Sequence, residues 1–344
     1  MLDKHATIAV IGAGAVGGVT AAGLKTAGWQ VQLVCKHREV ADLARTTGLS
    51  ITGIRGQYSV QLDAVETIAD LNGPQDLVLL ATKATDCVAA ASDLLPLLKP
   101  DSVVVSLQNG ICEDDLAAVV GRDRIMGCVV GWGASMVGPG KLEITSLGDF
   151  IVGNFDHQPD DNLAFVKDLL DSVVPARISD NIMGELYAKL IINACINSLG
   201  VLVGVRLGKL LANRQIRRIF IAIMREAMDV AAALGIKVEK GGGGKLDYYV
   251  FLAGDGFLKN LKRHLIIRAI GFKYRRIKSS SLQSIERGRP TEIDYLNGYI
   301  VNQGRANGVP VPINSAVVGM IKEIEAGTRA VGYANLADDA FKST

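Results

Sequence analysis

The run Ile8-Ala9-Val10-Ile11 leads without a break into Gly12-Ala13-Gly14-Ala15-Val16-Gly17, and a second β-branched run begins at Val31. A strand, a glycine-spaced turn, a helix-like stretch to Leu24 and another strand within about 30 residues commit this chain to a strand-helix-strand unit with parallel strands. Each glycine has its own task. Gly12 permits the tight turn, Gly14 lets backbone approach a pyrophosphate, and Gly17 lets the helix pack closely, with the helix N-terminus facing the anion. The loop Gly12 to Gly17, with Ala13, Ala15 and Val16, is therefore the expected cofactor cradle. The plainer alternative is a tight strand-helix turn without a ligand.

The end of the second strand selects between the nicotinamide cofactors. NAD calls for an acidic residue there to hold the ribose hydroxyls, and NADP calls for positive charge to meet its 2′-phosphate. The residues are Cys35, Lys36, His37 and Arg38, with no acid before Glu39. NADPH/NADP+ is therefore expected, with Lys36 and Arg38 on the phosphate. Solvated loop cations are the bland reading.

A chain of 344 residues has length for about two domains. Its 37 Lys plus Arg against 35 Asp plus Glu give a net charge of +2, so no global field points to nucleic acid or an anionic membrane. The segment Ala6 to Leu24 is uncharged, but it holds five glycines and two threonines and lacks the apolar density of a spanning helix. No signal-peptide pattern is evident, and a cytoplasmic location is expected. The cysteines, Cys35, Cys87, Cys112, Cys128 and Cys195, have neither CxxC pairing nor histidines at ligand spacing, so they read as reduced buried thiols, and no metal site is expected.

Two grammars divide the chain. Short β-branched runs alternate with helical stretches through the first half: Ile8 to Ile11, Val31 to Val34, Leu77 to Ala81, Val103 to Leu107 and Ile125 to Val130. Lys141 to Ile144 and Phe150 to Gly153 read as a later hairpin. Beyond about Asn181 only helical patterns remain: Gly184 to Val203, Ile216 to Leu234, Phe257 to Arg275, Thr291 to Asn307 and Asn314 to Ala326. The expected fold is α/β: a Rossmann-type dinucleotide-binding domain over residues 1–182, then an all-helical substrate domain over 183–344. Gly241 to Gly244 reads as a flexible surface turn, or functionally as a lid. Eight cations and no acid lie between Gly256 and Ile285. A solvated helix face explains them, and a field concentrating an anionic substrate is the alternative.

The helix from Gly184 to Val203 is apolar almost all round, yet carries Lys189, Asn193 and Asn197. Spacings of four and eight residues put the three within about 80° of one another, a polar stripe on a helix suited to burial. Burying an ammonium and two amides costs several kcal/mol unless partners are supplied, which disfavours a chance origin. A hydrogen-bonded seam between helices remains the structural alternative. Reduction of a ketone places negative charge on its oxygen, which an ammonium can bind and then protonate. Lys189 is the expected general acid, its pKa lowered by desolvation.

These pieces together resemble the ketopantoate reductase (2-dehydropantoate 2-reductase) family over most of the chain. The matching residues are the Gly12/Gly14/Gly17 loop, Lys83 after an apolar strand, Gln108-Asn109-Gly110, the Lys189/Asn193/Asn197 helix, Ser279-Ser280-Ser281-Leu282-Gln283, Glu292-Ile293-Asp294 and Asn297-Gly298. Their order and spacing are specific where each alone is weak. The resemblance implies a Rossmann domain and a helical domain with the active site between them. It makes Lys189 the proton donor, Asn193 and Asn197 substrate ligands, and Asn109 a bridge between nicotinamide and substrate. Ser280, with Ser281 beside it, would hold the substrate carboxylate. Lys83 and Ala134 would lie at the cofactor, and Glu292 would hold the reacting end of substrate or cofactor. Bland readings stand beside these: a strand-ending turn for Gln108 to Gly110, a helix cap for Ser279 to Ser281, and a capping box through Thr291 and Asp294.

Two departures from the family pattern bear on the substrate: Leu207 falls near a position where some members carry a further substrate-binding Asn, and Ser284 stands where an Asp often follows the serine motif. The expected activity is NADPH-dependent reduction of 2-dehydropantoate to pantoate, for pantothenate and coenzyme A synthesis. The alternative is reduction of another small anionic 2-keto acid, bulky branched or aromatic. A sensor that binds NADPH without turnover would need a damaged catalytic helix, and Lys189 is intact. No nucleic-acid or membrane partner is expected, and a homodimer is compatible with the sequence.

Overall fold

The computed structural model describes residues 2–156 and 160–342. The chain divides into two compact units, one ending at Leu186 and the other beginning at Tyr187.

The first unit is built on an eight-stranded sheet of order β12-β11-β8-β7-β6-β1-β2-β5. Its strands are β1 (Ile8–Ile11), β2 (Val31–Val34), β5 (Asp63–Val65), β6 (Gln75–Leu80), β7 (Leu98–Ser106), β8 (Ile125–Val130), β11 (Phe150–Gly153) and β12 (Ala176–Ile178). From β5 across to β8 every pairing is parallel, with Ile8 beside both Val31 and Leu77. Such strands are buried on both faces, and β1 is buried at all four positions. The connecting helices are α1 (Ala15–Thr26), α2 (Arg38–Thr46), α3 (Ala84–Leu94), α4 (Glu113–Val120) and α5 (Asp161–Asp171).

A second sheet of order β4-β3-β10-β9 joins β3 (Leu49–Gly53), β4 (Tyr58–Val60), β9 (Gly133–Gly138) and β10 (Lys141–Ser146). It packs on α1, where a Cβ on Gly18 would lie 2.6 Å from Leu142. The expected hairpin of Lys141 to Ile144 with Phe150 to Gly153 does not form. Both sides of β10 are taken by β3 and β9, while β11 pairs antiparallel with β8. Between them the Gly131 N–H donates to the Asp149 carbonyl, and Phe150 packs edge-on against Trp132 at 5.5 Å. Burying Phe150 in the main sheet outweighs the local turn signal.

Helix α6 (Ile182–Val203) starts in the first unit and continues into the second. It is long and apolar enough to cross a membrane by length and composition, but 78% of its apolar window is buried, as in a core helix. It is followed by α7 (Leu207–Ala212), α8 (Arg214–Ala233), α9 (Gly241–Gly244), α10 (Tyr248–Leu252), α11 (Phe257–Lys273), α12 (Ser280–Glu286), α13 (Asn297–Ala306) and α14 (Pro312–Glu325). The element α9 is one turn whose Gly242 and Gly243 are left-handed.

Two helical expectations change. The stretch from Thr291 to Asn307 is broken at Leu296, so α13 starts only at Asn297. No capping box forms there: Thr291 binds Glu325, and Asp294 pairs with Lys322. The basic stretch is solvated as expected except at one cation. Arg263 is 2% exposed, and its guanidinium donates to the carbonyls of Phe251, Leu252, Ala253 and Gly254 at the end of α10. All five cysteines are buried. Burial pushes the Cys35 thiol up to about 12 and the Cys195 thiol well above its ordinary value.

Arg263→Met removes the donor for four carbonyls at once and is expected to cost about 1–3 kcal/mol or more, read as a lower urea midpoint. Gly17→Val forces a Cβ into the Gly12 carbonyl and against Ala81, and should cost about 1–3 kcal/mol in the same measurement. Gly14→Val meets open space at an ordinary φ of −71° and should leave the midpoint unchanged.

Candidate functional site

In the first unit the site residues gather at one edge because the parallel strands β2, β1, β6 and β7 all end there. The chain crosses from one side of the sheet to the other between β1 and β6, and that reversal is where an α/β sheet opens a crevice. Gly12, at φ +107°, makes the turn, and a Cβ on it would lie 2.9 Å from the Ala81 carbonyl across the crevice. Gly14 precedes α1 with nothing within 4 Å of where a Cβ would stand. Helix α1 has neither a side-chain cap nor an acid in its first turn. Ala13, Ala15 and Val16 complete this turn and helix start, a cradle of backbone donors and positive dipole that suits a pyrophosphate.

Past the end of β2, Lys36 and Arg38 are about four-fifths exposed. Lys36 sits 3.6 Å from Asp86, and Arg38 lies 3.8 Å from Asp42 and 3.9 Å from Glu66. Beyond β6, Lys83 precedes α3. Beyond β7, Gln108 is buried and ties the strand ends together, donating to the Leu80 carbonyl at 3.0 Å and accepting from Ser106 at 2.8 Å. Asn109 is half-buried, and Gly110, at φ +90°, closes the turn. Ala134 lies on β9, opposite Ile144 in the second sheet.

The second unit holds the other set. Lys189 and Asn193 are half-buried on α6, and Asn197 is 6% exposed. The stripe runs about 12 Å along the helix axis. Its far end is joined to the serine motif: the Ser280 hydroxyl donates to Asn197 Oδ1 at 3.1 Å. Ser279 caps α12 by accepting from the Leu282 N–H, and it packs so tightly on α6 that a Cβ on Gly200 would strike its hydroxyl. The capping role thus falls to Ser279. Ser281 is buried, and Ser280 is exposed beside Asn197. Glu292 is half-buried just before the turn Ile293–Tyr295. Leu207 is buried at the start of α7, and Ser284 turns back to bond the Ser280 carbonyl. Asn297 is fully buried and donates to Asn314 at 2.9 Å, a structural role. Among the described residues no cluster of His, Cys, Asp and Glu could hold a metal.

Three carboxyls not foreseen from the sequence are buried, Glu113, Glu226 and Glu185, the last paired with Arg177 at 2.6 Å. Glu113, 1% exposed at the start of α4, accepts from the Cys112 N–H, and burial pushes its carboxyl above the ordinary value. Nothing in Glu113-Asp114-Asp115 told which acid turns inward. Glu226 accepts from the Ile313 and Asn314 N–H groups and from the Asn314 amide. Its place among Ile219, Ile223 and Val230 at helical spacing was the available signal.

Comparison with known proteins agrees with this architecture. Residues 8–157 match the family model described as Ketopantoate reductase PanE/ApbA, and residues 181–325 match the model of its C-terminal part. A 2-dehydropantoate 2-reductase of Pyrococcus abyssi is 29% identical over 320 residues, 93% of this chain and 98% of that protein. The crystal structure of a PanE/ApbA family ketopantoate reductase from Ralstonia eutropha JMP134 is 30% identical, covers 94% of this chain and 100% of its own, and superposes with a TM-score of 0.79. The ternary structure of D-mandelate dehydrogenase with NADH and anilino(oxo)acetate is 25% identical, with 94% and 100% coverage and a TM-score of 0.77. With both halves of the family model matched in order, this chain belongs to the ketopantoate reductase family of dinucleotide-dependent oxidoreductases acting on CH–OH groups.

Proposed function

We propose that this enzyme reduces 2-dehydropantoate to (R)-pantoate with NADPH, the step that serves pantothenate and coenzyme A synthesis. The observation that carries the reading is the joined stripe Lys189, Asn193, Asn197 and Ser280, with Ser280 bonded to Asn197. Because Asn197 Oδ1 is taken by Ser280, its amide N–H groups remain as donors for a substrate carboxylate or hydroxyl. Asn193 lies between that end and Lys189, and orients the keto acid. Reduced nicotinamide, when bound, supplies the hydride to the C2 carbonyl. Lys189 stabilises the negative charge that develops on the carbonyl oxygen and transfers a proton to it, leaving a neutral amine that is reprotonated from water. Glu292 holds the reacting end of substrate or cofactor, and Asn109 and Lys83 act at the cofactor.

The dinucleotide is assigned to Gly12 to Gly17, including Ala13, Ala15 and Val16, with Ala134 nearby. Lys36 and Arg38 support a 2′-phosphate, since their present ion pairs are long and exposed and so are given up at little cost. The likeness to D-mandelate dehydrogenase supports a second reading, an aromatic or bulky branched 2-keto acid with the same catalytic set. Leu207 points the same way, because it puts an apolar side chain where a hydroxylated substrate would use an amide, and Ser284 carries no carboxylate and turns its hydroxyl to the Ser280 carbonyl.

NADPH oxidation across a panel of 2-keto acids tests the substrate. Ketopantoate should give the highest kcat/KM, and a faster aromatic acid would move the assignment to the second reading. Lys189→Ala should lower kcat by roughly 10²- to 10⁴-fold with NADPH affinity nearly unchanged. Asn193→Ala should mainly raise KM for the keto acid. A Lys189→Ala enzyme within about threefold of the parent would place the proton donor elsewhere. Replacing Lys36 and Arg38 together with glutamine should weaken NADPH by about 1.5–3 kcal/mol for each lost contact and leave NADH little changed.

A further inference from the structure

A cavity of about 860 Å³ opens in the second unit between α8 and α11, and none of the residues assigned to the reaction lines it. Its apolar lining is formed by Ile221, Ala222, Pro312 and Ile313, with the exposed Phe257 and Leu261 of α11 beside them. Its polar lining is strongly cationic: Arg214, Arg217, Arg218 and Arg225, with His264 and Asn260. Three of these arginines fall in the first five residues of α8, where no acid is present and where the helix dipole already favours negative charge.

The positive charge is not neutralised internally. Among the described residues neither Arg214 nor Arg218 has an acidic partner within ion-pair distance. Arg225 alone is paired, with Asp255 at 2.7 Å. The carboxylate of Glu226, the nearest buried acid on α8, is consumed by Ile313 and Asn314. Arg217 is 8% exposed and is held by the carbonyls of Leu211 and Ala212 at 2.8 and 2.7 Å, and by His264 Nδ1 at 3.2 Å. Burial, followed by the charges of Arg217, Arg214 and Arg218, holds the His264 pKa below its ordinary value. A neutral His264 that accepts at Nδ1 carries its proton on Nε2, so it too offers the cavity a donor.

A recess with an apolar lining, a donor-rich rim and concentrated positive charge, of a volume in the usual range of about 300–1,000 Å³ for ligand sites, has one chemical complement. We propose that this cavity binds a small amphipathic anion, a phosphate or carboxylate on an apolar body, at a site separate from the reductase machinery. The anion would meet Arg214 and Arg218, and the apolar body would lie on Phe257, Leu261 and Ile221. A second copy of this chain pairing through α11 fits poorly, because α11 and its continuation to Ile285 have no acid to offer these arginines. Phe257 and Leu258, 80% and 77% exposed on α11, extend the apolar lining outward, so an anionic lipid surface is the competing source of the same chemistry.

Calorimetric titration of the intact enzyme with decyl phosphate, inorganic phosphate, decyl maltoside and phosphatidylglycerol vesicles separates these sources. Decyl phosphate below its micelle concentration should bind one per chain and weaken with added salt. Inorganic phosphate should bind at least about tenfold more weakly, a difference of about 1.4 kcal/mol, and decyl maltoside should show no saturable binding. Arg214→Gln combined with Arg218→Gln should weaken decyl phosphate at least tenfold while leaving reductase kinetics unchanged. Phe257→Ser should weaken it through the apolar arm. Because both arginines are exposed and lack acids, the double variant should unfold at the parent temperature or above it. Equal binding of decyl maltoside, full affinity in the double variant, or binding to vesicles alone would each overturn the proposal.

Discussion

The approach of α1 onto the turn after β1 is the contact from which the rest of the first unit is laid out. Gly17 stands against the Gly12 carbonyl and the Ala81 side chain, so the helix meets the sheet with no side chain between them. That closeness fixes where β6 can lie, since Gly12 also touches the Ala81 backbone. Once β6 is fixed beside β1, the direction of the sheet reverses there, and the parallel strands deliver their loops to one edge. Gly14 is left facing open space by the same geometry that buries Gly17. One short motif thus provides both a joint and an opening.

The second unit solves a different problem, the placement of polar groups in an apolar interior. Arg263 spends its guanidinium on carbonyls at the end of α10, and Glu226 spends its carboxylate on N–H groups at the start of α14. In each case a buried charge replaces a missing helix cap. The stripe on α6 follows another logic: Asn197 is tied to Ser280 on one side, and Lys189 and Asn193 remain half-buried. Groups tied on all sides hold structure, and groups tied on one side are available to a ligand.

What the sequence revealed tracks how local each signal is. The turn from Ile11 to Gly17, the second strand and the apolar helix bearing Lys189 are written in contiguous residues, and α6 runs from Ile182 to Val203 against an expected Gly184 to Val203. The second sheet was hidden at its joint: β3 and β10 pair across about 90 positions, as in Leu142 beside Ile51, while the local pairings of β3 with β4 and β9 with β10 involve strands of three to six residues, too short for a clear period. The hairpin expectation at Lys141 to Gly153 failed because turn chemistry names a bend, while the partner is chosen by which edge is vacant. Of the candidate site, the sequence carries the residue types and their order. Which serine caps and which faces Asn197 was not legible, because that depends on how closely α12 meets Gly200. The internal acids Glu113 and Glu226 were hidden for a related reason: burial of a single carboxyl is decided by packing, and charge patterning reads only the surface.

The buried thiols carry a practical consequence. Only a thiolate attacks a labelling reagent, and a thiol whose pKa is raised by burial stays silent at neutral pH while its surroundings remain packed. Cys35 and Cys195 are both in that condition. Cys35 lies with Cys87, Cys112 and Cys128 in the first unit, and Cys195 lies alone in the second. Alkylation of Cys195 therefore times the opening of the helical unit, and alkylation of Cys35 times the opening of the sheet. The molecule carries a separate clock for each half, readable by mass without an added probe.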